Sequence, residues 1–204
     1  MQSRWLKTWQ RLGIGAPEGV FATLNARYSE SHRKYHTLEH LAECFALFDS
    51  LATVPKNESA VELAIWFHDV VYDTSAADNE PASAILAKQT LSAAGLPLLL
   101  CEQVSNLILA TRHDSVGDST IEERVLLDVD LSILGAAPSR FSEFETQIRT
   151  EYCWVSESEF RAGRAAILKR FLARPFIYRL PQIRTKLEIR ARRNLMDAIA
   201  RLEG

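Results

Sequence analysis

Through most of the chain apolar side chains recur at three- and four-residue intervals, and no stretch alternates apolar with polar residues between hairpin signals. Such spacing lines up one stripe along a helix, whereas a half-buried strand needs period two. The pattern confines the chain to an all-α fold, a single helical bundle. Helices are expected over 4–12, 18–28, 37–51, 58–71, 80–94, 98–111, 121–134, 139–152, 157–172 and from 181 towards 202. Glycines and prolines punctuate them: Gly13, Gly15 and Pro17, then Gly95-Leu96-Pro97, Gly135, Pro138 and Pro175. Thr120-x-x-Glu123 and Ser156-x-x-Glu159 have the form of capping boxes. The run LLLCEQVSNLILA is so apolar that 98–111 is expected to be the central, buried helix. Gly13-Ile14-Gly15 follows no strand and reads as a helix stop, not a dinucleotide loop.

At 204 residues the chain fits one large domain, 1–204. A core over about 30–135 is expected, with C-terminal helices over 138–202 packed on it. A net charge of −2 gives no reason to expect a nucleic acid polymer or an acidic membrane as partner. The charges are unevenly spread, however. From Arg161 to Arg193 all are Lys or Arg except Glu188, and the stretch from Asp114 to Glu159 is mostly acidic. Solvated helix faces account for this, and an anion-attracting rim beside an acidic centre is the sharper alternative. Cys44, Cys101 and Cys153 form no CxxC pair and read as free thiols of a reducing compartment. The first residues lack the apolar core of a signal peptide, and no apolar run approaches the roughly 20 residues of a membrane span. A cytoplasmic location is the resulting expectation. The last helix can pack on its own domain or on a second subunit, so a homodimer stays open.

Five residues carry imidazole: His32, His36, His40, His68 and His113. His36 and His40, four apart, share one side of a helix if that helix already includes His36. His68-Asp69 closes an apolar helix, and Asp128-Val129-Asp130 puts two carboxylates in another. A carboxylate in such a setting is costly unless paired or bound to a cation. A metal held by two imidazoles and two carboxylates from three helices answers these costs together.

The order His40 … His68-Asp69 … Asp130 resembles the H…HD…D pattern of the HD superfamily of metal-dependent phosphohydrolases. The strings Tyr35-His36-Thr37-Leu38-Glu39-His40, Phe67-His68-Asp69-Val70-Val71-Tyr72-Asp73, Asp78-Asn79-Glu80 and Glu188-x-x-Ala191-Arg192-x-Asn194-Leu195 are similar to a bacterial subgroup of it. The resemblance implies His40, His68, Asp69 and Asp130 as ligands, with His40 preferred to His36 and Asp130 to Asp128. It implies one divalent cation as cofactor, with Mn, Mg, Co, Ni, Zn and Fe all admissible. The implied reaction is hydrolysis of a small phosphorylated substrate, a phosphomonoester or a nucleotide. Some relatives use a Glu three residues after the His-Asp pair to orient the attacking water. Tyr72 stands there in this chain, so Asp73 is the expected stand-in beside the catalytic Asp69, on one helix face if the helix continues. Arg33, His36, Arg112 and His113 are the expected phosphate contacts, with Lys34 and Arg164 weaker ones. Glu80 would serve a second metal or a bound water. A non-catalytic nucleotide- or metal-binding regulatory module is the alternative function. A di-iron oxygenase ranks third, for want of histidines.

Overall fold

The computed structural model describes residues 1–51, 55–113 and 119–204. Among the described residues the chain is all-α, with ten α-helices, one 3-10 helix and no strand. The helices are α1 (Gln2–Arg11), α2 (Val20–Tyr28), α3 (Leu38–Asp49), α4 (Glu58–Phe67), α5 (Asn79–Ala93), α6 (Leu98–Ala110) and α7 (Ile121–Asp130). The 3-10 helix Leu131–Gly135 comes next, then α8 (Pro138–Glu151), α9 (Glu157–Leu172) and α10 (Pro181–Glu203). The chain divides into two compact units, Met1–Val129 and Asp130–Gly204. No helix of the described residues is long and apolar enough to cross a membrane. The acidic stretch begins at Asp114, and its first five residues lie outside the described ones.

In the first unit the central helix is α4, against which α1, α3, α5 and α6 pack. Every residue from 60 to 67 is buried, Glu62 included. This corrects the expectation for α6. That helix buries only the stripe Cys101, Val104, Leu107 and Ile108, and leaves Leu98 and Leu99 68% and 82% exposed. Apolar content misled because the leucines behind Pro97 occupy a first turn that faces outward.

The buried Glu62 carboxylate is answered from α1. Arg4 and Arg11 both donate to it, Arg11 at 2.9 Å. Arg4 also bonds Asp49 at 2.6 Å and lies 4.6 Å over the Phe45 ring. A buried carboxylate is tolerated only when paired in this way. Around the pair, Trp66 meets Trp5 edge-on at 5.4 Å and packs against Phe45 at 5.0 Å and Phe21 at 6.1 Å.

The capping box at Thr120 forms reciprocally, and Ser156 caps the start of α9. The Glu123 backbone N–H donates to Thr120 Oγ1 at 3.2 Å, and the Thr120 N–H donates back to Glu123 Oε2 at 2.8 Å. The Glu159 N–H donates to Ser156 Oγ at 3.3 Å. Each side-chain cap supplies an acceptor for an N–H that the helix itself leaves open.

In the second unit α10 packs on α9 and on the 3-10 helix. Tyr178 Oη donates to Leu131 O at 3.2 Å. Asn194 Nδ2 donates to Leu134 O at 2.9 Å and Ala136 O at 3.0 Å, and Arg190 Nε to Gly135 O at 2.5 Å. With the chain's carbonyls drawn to these partners, the helix expected to reach residue 134 stops at Asp130 and tightens into a 3-10 turn. Glu188 accepts the backbone N–H groups of Ile177 and Tyr178 at 3.0 Å and 3.3 Å, and Arg192 joins Glu188 to the carbonyls of Leu172, Arg174 and Pro175. The motif Glu188-x-x-Ala191-Arg192-x-Asn194 is thus a set of backbone clamps. Several arginines of the basic run are engaged on carbonyls instead of forming a free cationic rim.

A Cβ at Gly135 would stand 2.7 Å from Leu187 Cβ and 2.8 Å from Tyr178 Oη. Such overpacking typically costs about 1–3 kcal/mol. Gly135→Ala is therefore expected to lower the unfolding free energy by that amount, read from a denaturant titration as a lower midpoint at unchanged slope. A Gly163→Ala control, where a Cβ meets nothing within 4 Å, is expected to stabilise slightly.

Candidate metal centre

The end of α4 builds the centre. An α-helix leaves its last carbonyls without helical partners, and here almost all are met by groups of the site itself. The His68 N–H donates to Ala64 O at 2.9 Å, His68 Nδ1 to Ile65 O at 3.0 Å, Tyr28 Oη to Trp66 O at 3.1 Å and the Val70 N–H to Phe67 O at 3.2 Å. Burial pushes the Tyr28 hydroxyl well above its ordinary range, so it stays a donor. The helix stops at Phe67, not at the expected 71, because His68 and the residues after it turn away under these bonds. The negative end of the α4 dipole thus meets the His68-Asp69 pair, which favours a cation.

Because His68 Nδ1 carries its proton to Ile65 O, Nε2 presents a lone pair. It faces His40 Nε2 at 3.1 Å. Asp69 Oδ2 lies 3.0 Å from His68 Nε2 and 3.6 Å from His40 Nε2. His40 comes from the first turn of α3, whose Thr37 cap accepts the Glu39 N–H at 3.2 Å. Asp130 is the last residue of α7. His40, His68, Asp69 and Asp130 each offer a ligand atom within 4.8 Å of the others, a group able to hold a metal ion. Ligands bound at about 2.0–2.1 Å in neighbouring positions stand about 3–3.5 Å apart, which the two imidazoles and Asp69 match. Two buried imidazole nitrogens facing one another beside a carboxylate are the donor set that a divalent cation wants. Burial by itself would raise the Asp69 carboxyl. The imidazoles of His68, then His36 and His40, outweigh it and hold that group well below the usual carboxylate range.

His36 is not helical, since α3 begins at Leu38, so the expected shared helix side is corrected. Its ring is 6.0 Å from His40 and stacks on Tyr72 at 4.1 Å. His32 lies on the outer side, donating to Tyr72 O at 2.9 Å. Asp73 is corrected as well: it sits in the loop after α4 and shares no helix face with Asp69. Asp73 Oδ1 accepts the Ser75 hydroxyl at 2.6 Å and its N–H at 2.8 Å, and these bonds hold the carboxyl below its ordinary value. A lowered pKa makes a poorer base. The loop is closed by Asn79, which exchanges two hydrogen bonds with the Asp73 backbone at 2.9 Å and 2.8 Å.

Arg33 is buried and does not present its guanidinium to solvent. Its donors go to Glu30, His36 O, Asp69 O and Val70 O, which corrects its assignment as a phosphate contact. Lys34 donates to Ser31 O at 2.8 Å, and Arg164 pairs with Glu145 at 2.5 Å. Glu80 lies half-buried in the first turn of α5, outside the four-residue group. Arg112 and His113 follow α6, His113 with a left-handed φ of 56°, and neither belongs to the group. Asp128 is fully buried two residues before Asp130 on α7 and is not part of it either.

Sequence reasoning passed over two neighbours. Cys44 Sγ lies 3.8 Å from His40 Nδ1 and donates to Val129 O at 3.6 Å. Its four-residue spacing from His40 was a legible signal. Tyr28, 38 residues from Trp66, left none. Comparison with family models, curated proteins and solved structures finds no match to this chain.

Proposed function

We propose that the chain is a metal-dependent phosphohydrolase of the HD kind, acting on a phosphomonoester or a nucleotide. The observation that carries this reading is the group of two imidazoles and two carboxylates around His68-Asp69, in the order the resemblance implies. His40, His68, Asp69 and Asp130 would hold one divalent cation. Such a cation supplies Lewis-acid polarisation of a phosphoryl oxygen and makes a nearby water more acidic. The chain's own residues do the rest. His68 is fixed in one tautomer by Ile65 O, so its ligating nitrogen needs no reorganisation. His36, braced by Tyr72, is the side chain best placed at the rim of the group to contact a substrate phosphate. Lys34, exposed two residues before it, adds positive charge there.

One observation favours the alternative of a non-catalytic nucleotide- or metal-binding module. The position three after Asp69 is Tyr72, and Asp73 is occupied in its own turn. The purified protein should contain about one equivalent of metal, measured by elemental analysis. After stripping with chelator, each of Mn, Mg, Co, Ni, Zn and Fe is restored singly and phosphate release from nucleotides and phosphomonoesters is followed. Metal-dependent release supports hydrolysis. A metal-loaded protein that binds a nucleotide without turnover supports the module. Two irons per chain would instead indicate an oxygenase, and a protein that takes up no metal would end the hydrolase and oxygenase readings, leaving the module only if it binds a nucleotide.

A further inference from the structure

Arg33 was one of the phosphate-binding candidates in the sequence, yet its surroundings describe a different task. Its side chain is fully buried. Nε donates to Glu30 Oε2 at 3.0 Å, one terminal nitrogen to His36 O at 3.2 Å and Asp69 O at 2.7 Å, and the other to Val70 O at 3.1 Å. The guanidinium carbon lies 5.2 Å from the Tyr28 ring centroid and 5.3 Å from that of Tyr72. One rigid fork therefore joins three carbonyls on two pieces of backbone: residue 36 just before α3, and residues 69 and 70 at and just beyond the ligand pair. These are the segments that deliver His40 and Asp69.

We infer that Arg33 is a positioning residue for the metal centre, setting the backbone that carries Asp69 against the segment that leads to His40. The inference rests on the metal-site reading above and deepens it. A planar fork with several donors can hold separate carbonyls at fixed angles, which a lysine ammonium on a flexible stem cannot. Tyr28 ties in the same direction, since its hydroxyl holds Trp66 O while its ring lies against the guanidinium. The two carbonyls of 69 and 70 would otherwise be left without partners at a buried helix end, a cost that a substrate-facing arginine would not cover. Partners that orient a ligand from behind commonly change metal affinity by about 10–100-fold when removed.

The test is a Co(II) titration of the metal-stripped full chain, read by the visible absorption of the bound ion and by competition with a chromophoric chelator. Arg33→Lys keeps the charge and loses the fork. It is expected to keep the far-UV spectrum of the wild type while binding Co(II) about 10-fold or more weakly. A phosphate-contacting arginine would leave Co(II) affinity unchanged and alter only competition by inorganic phosphate; that result overturns the inference and leaves the metal site standing. A merely structural role would lower the melting temperature with Co(II) affinity intact, which overturns it equally. Should Arg33→Lys not fold, Glu30→Gln decides: it removes the carboxylate that aims Nε, and a weaker Co(II) complex is expected, while wild-type affinity counts against the inference. A wild-type chain that binds no Co(II) or other divalent cation would refute the underlying reading, and the inference with it.

Discussion

Asp69→Ala should abolish metal binding while leaving the helical content essentially that of the wild type. Asp69 brings a carboxylate oxygen within 3.0 Å of one imidazole and 3.6 Å of the other. Without it His40 and His68 face each other with no anionic partner from that loop, and a divalent cation loses both a donor and a charge. The helices around the site do not depend on the carboxylate: α4 ends at Phe67, and its carbonyls are met by Tyr28, His68 and backbone. Elemental analysis after dialysis against trace metal, beside a far-UV spectrum, reads both halves of the expectation. Retained metal together with retained activity would mean that the site lies elsewhere. Asp73→Ala is the informative companion. Its carboxylate serves the Ser75 turn, so metal content should not change.

The second large effect is expected at Trp66. Its side chain is fully buried on α4, within 5.0 to 6.1 Å of Phe45, Trp5 and Phe21, measured between ring centroids. Truncation of a buried tryptophan removes its transfer free energy and leaves a cavity, together about 3–5 kcal/mol. In a chain of this size that corresponds to a fall in melting temperature of roughly 6–20 °C. Trp154→Ala serves as the control, because that ring is 61% exposed and surface truncations usually stay within about 0.5 kcal/mol. Calorimetry separates the two. Equal small effects would mean that α4 is not the centre of its unit.

The residues that announced the candidate site in the sequence were those whose chemistry conflicts with an apolar neighbourhood. His68-Asp69 and Asp128-Val129-Asp130 stood out because carboxylates on apolar helices need a reason. Helices were legible for the same local cause: spacing, capping boxes and glycine or proline stops are written within a few residues. What stayed hidden depended on distant partners. Whether α4 ended at 67 or ran on to 71 turned on Tyr28 and Arg33, 38 and 36 residues away from the carbonyls they bind. Asp73 looked like a base until the helix stopped short of it. How Glu62 is accommodated on the apolar α4 could not be read, because its counter-ions lie on α1. Apolar content promoted α6, since nothing in the run LLLCEQVSNLILA marks which leucines point outward.

The buried carboxylate of Glu62 also has partners that are made before it. Arg4 precedes it by 58 residues, so at 5–20 residues per second the arginine leaves the ribosome roughly 3–12 s before its glutamate. When α4 first has the chance to collapse inward, its counter-charge is already outside and waiting. A chain rearranged so that α1 was synthesised last would have neither Arg4 nor Arg11 to pair with Glu62 until translation ended.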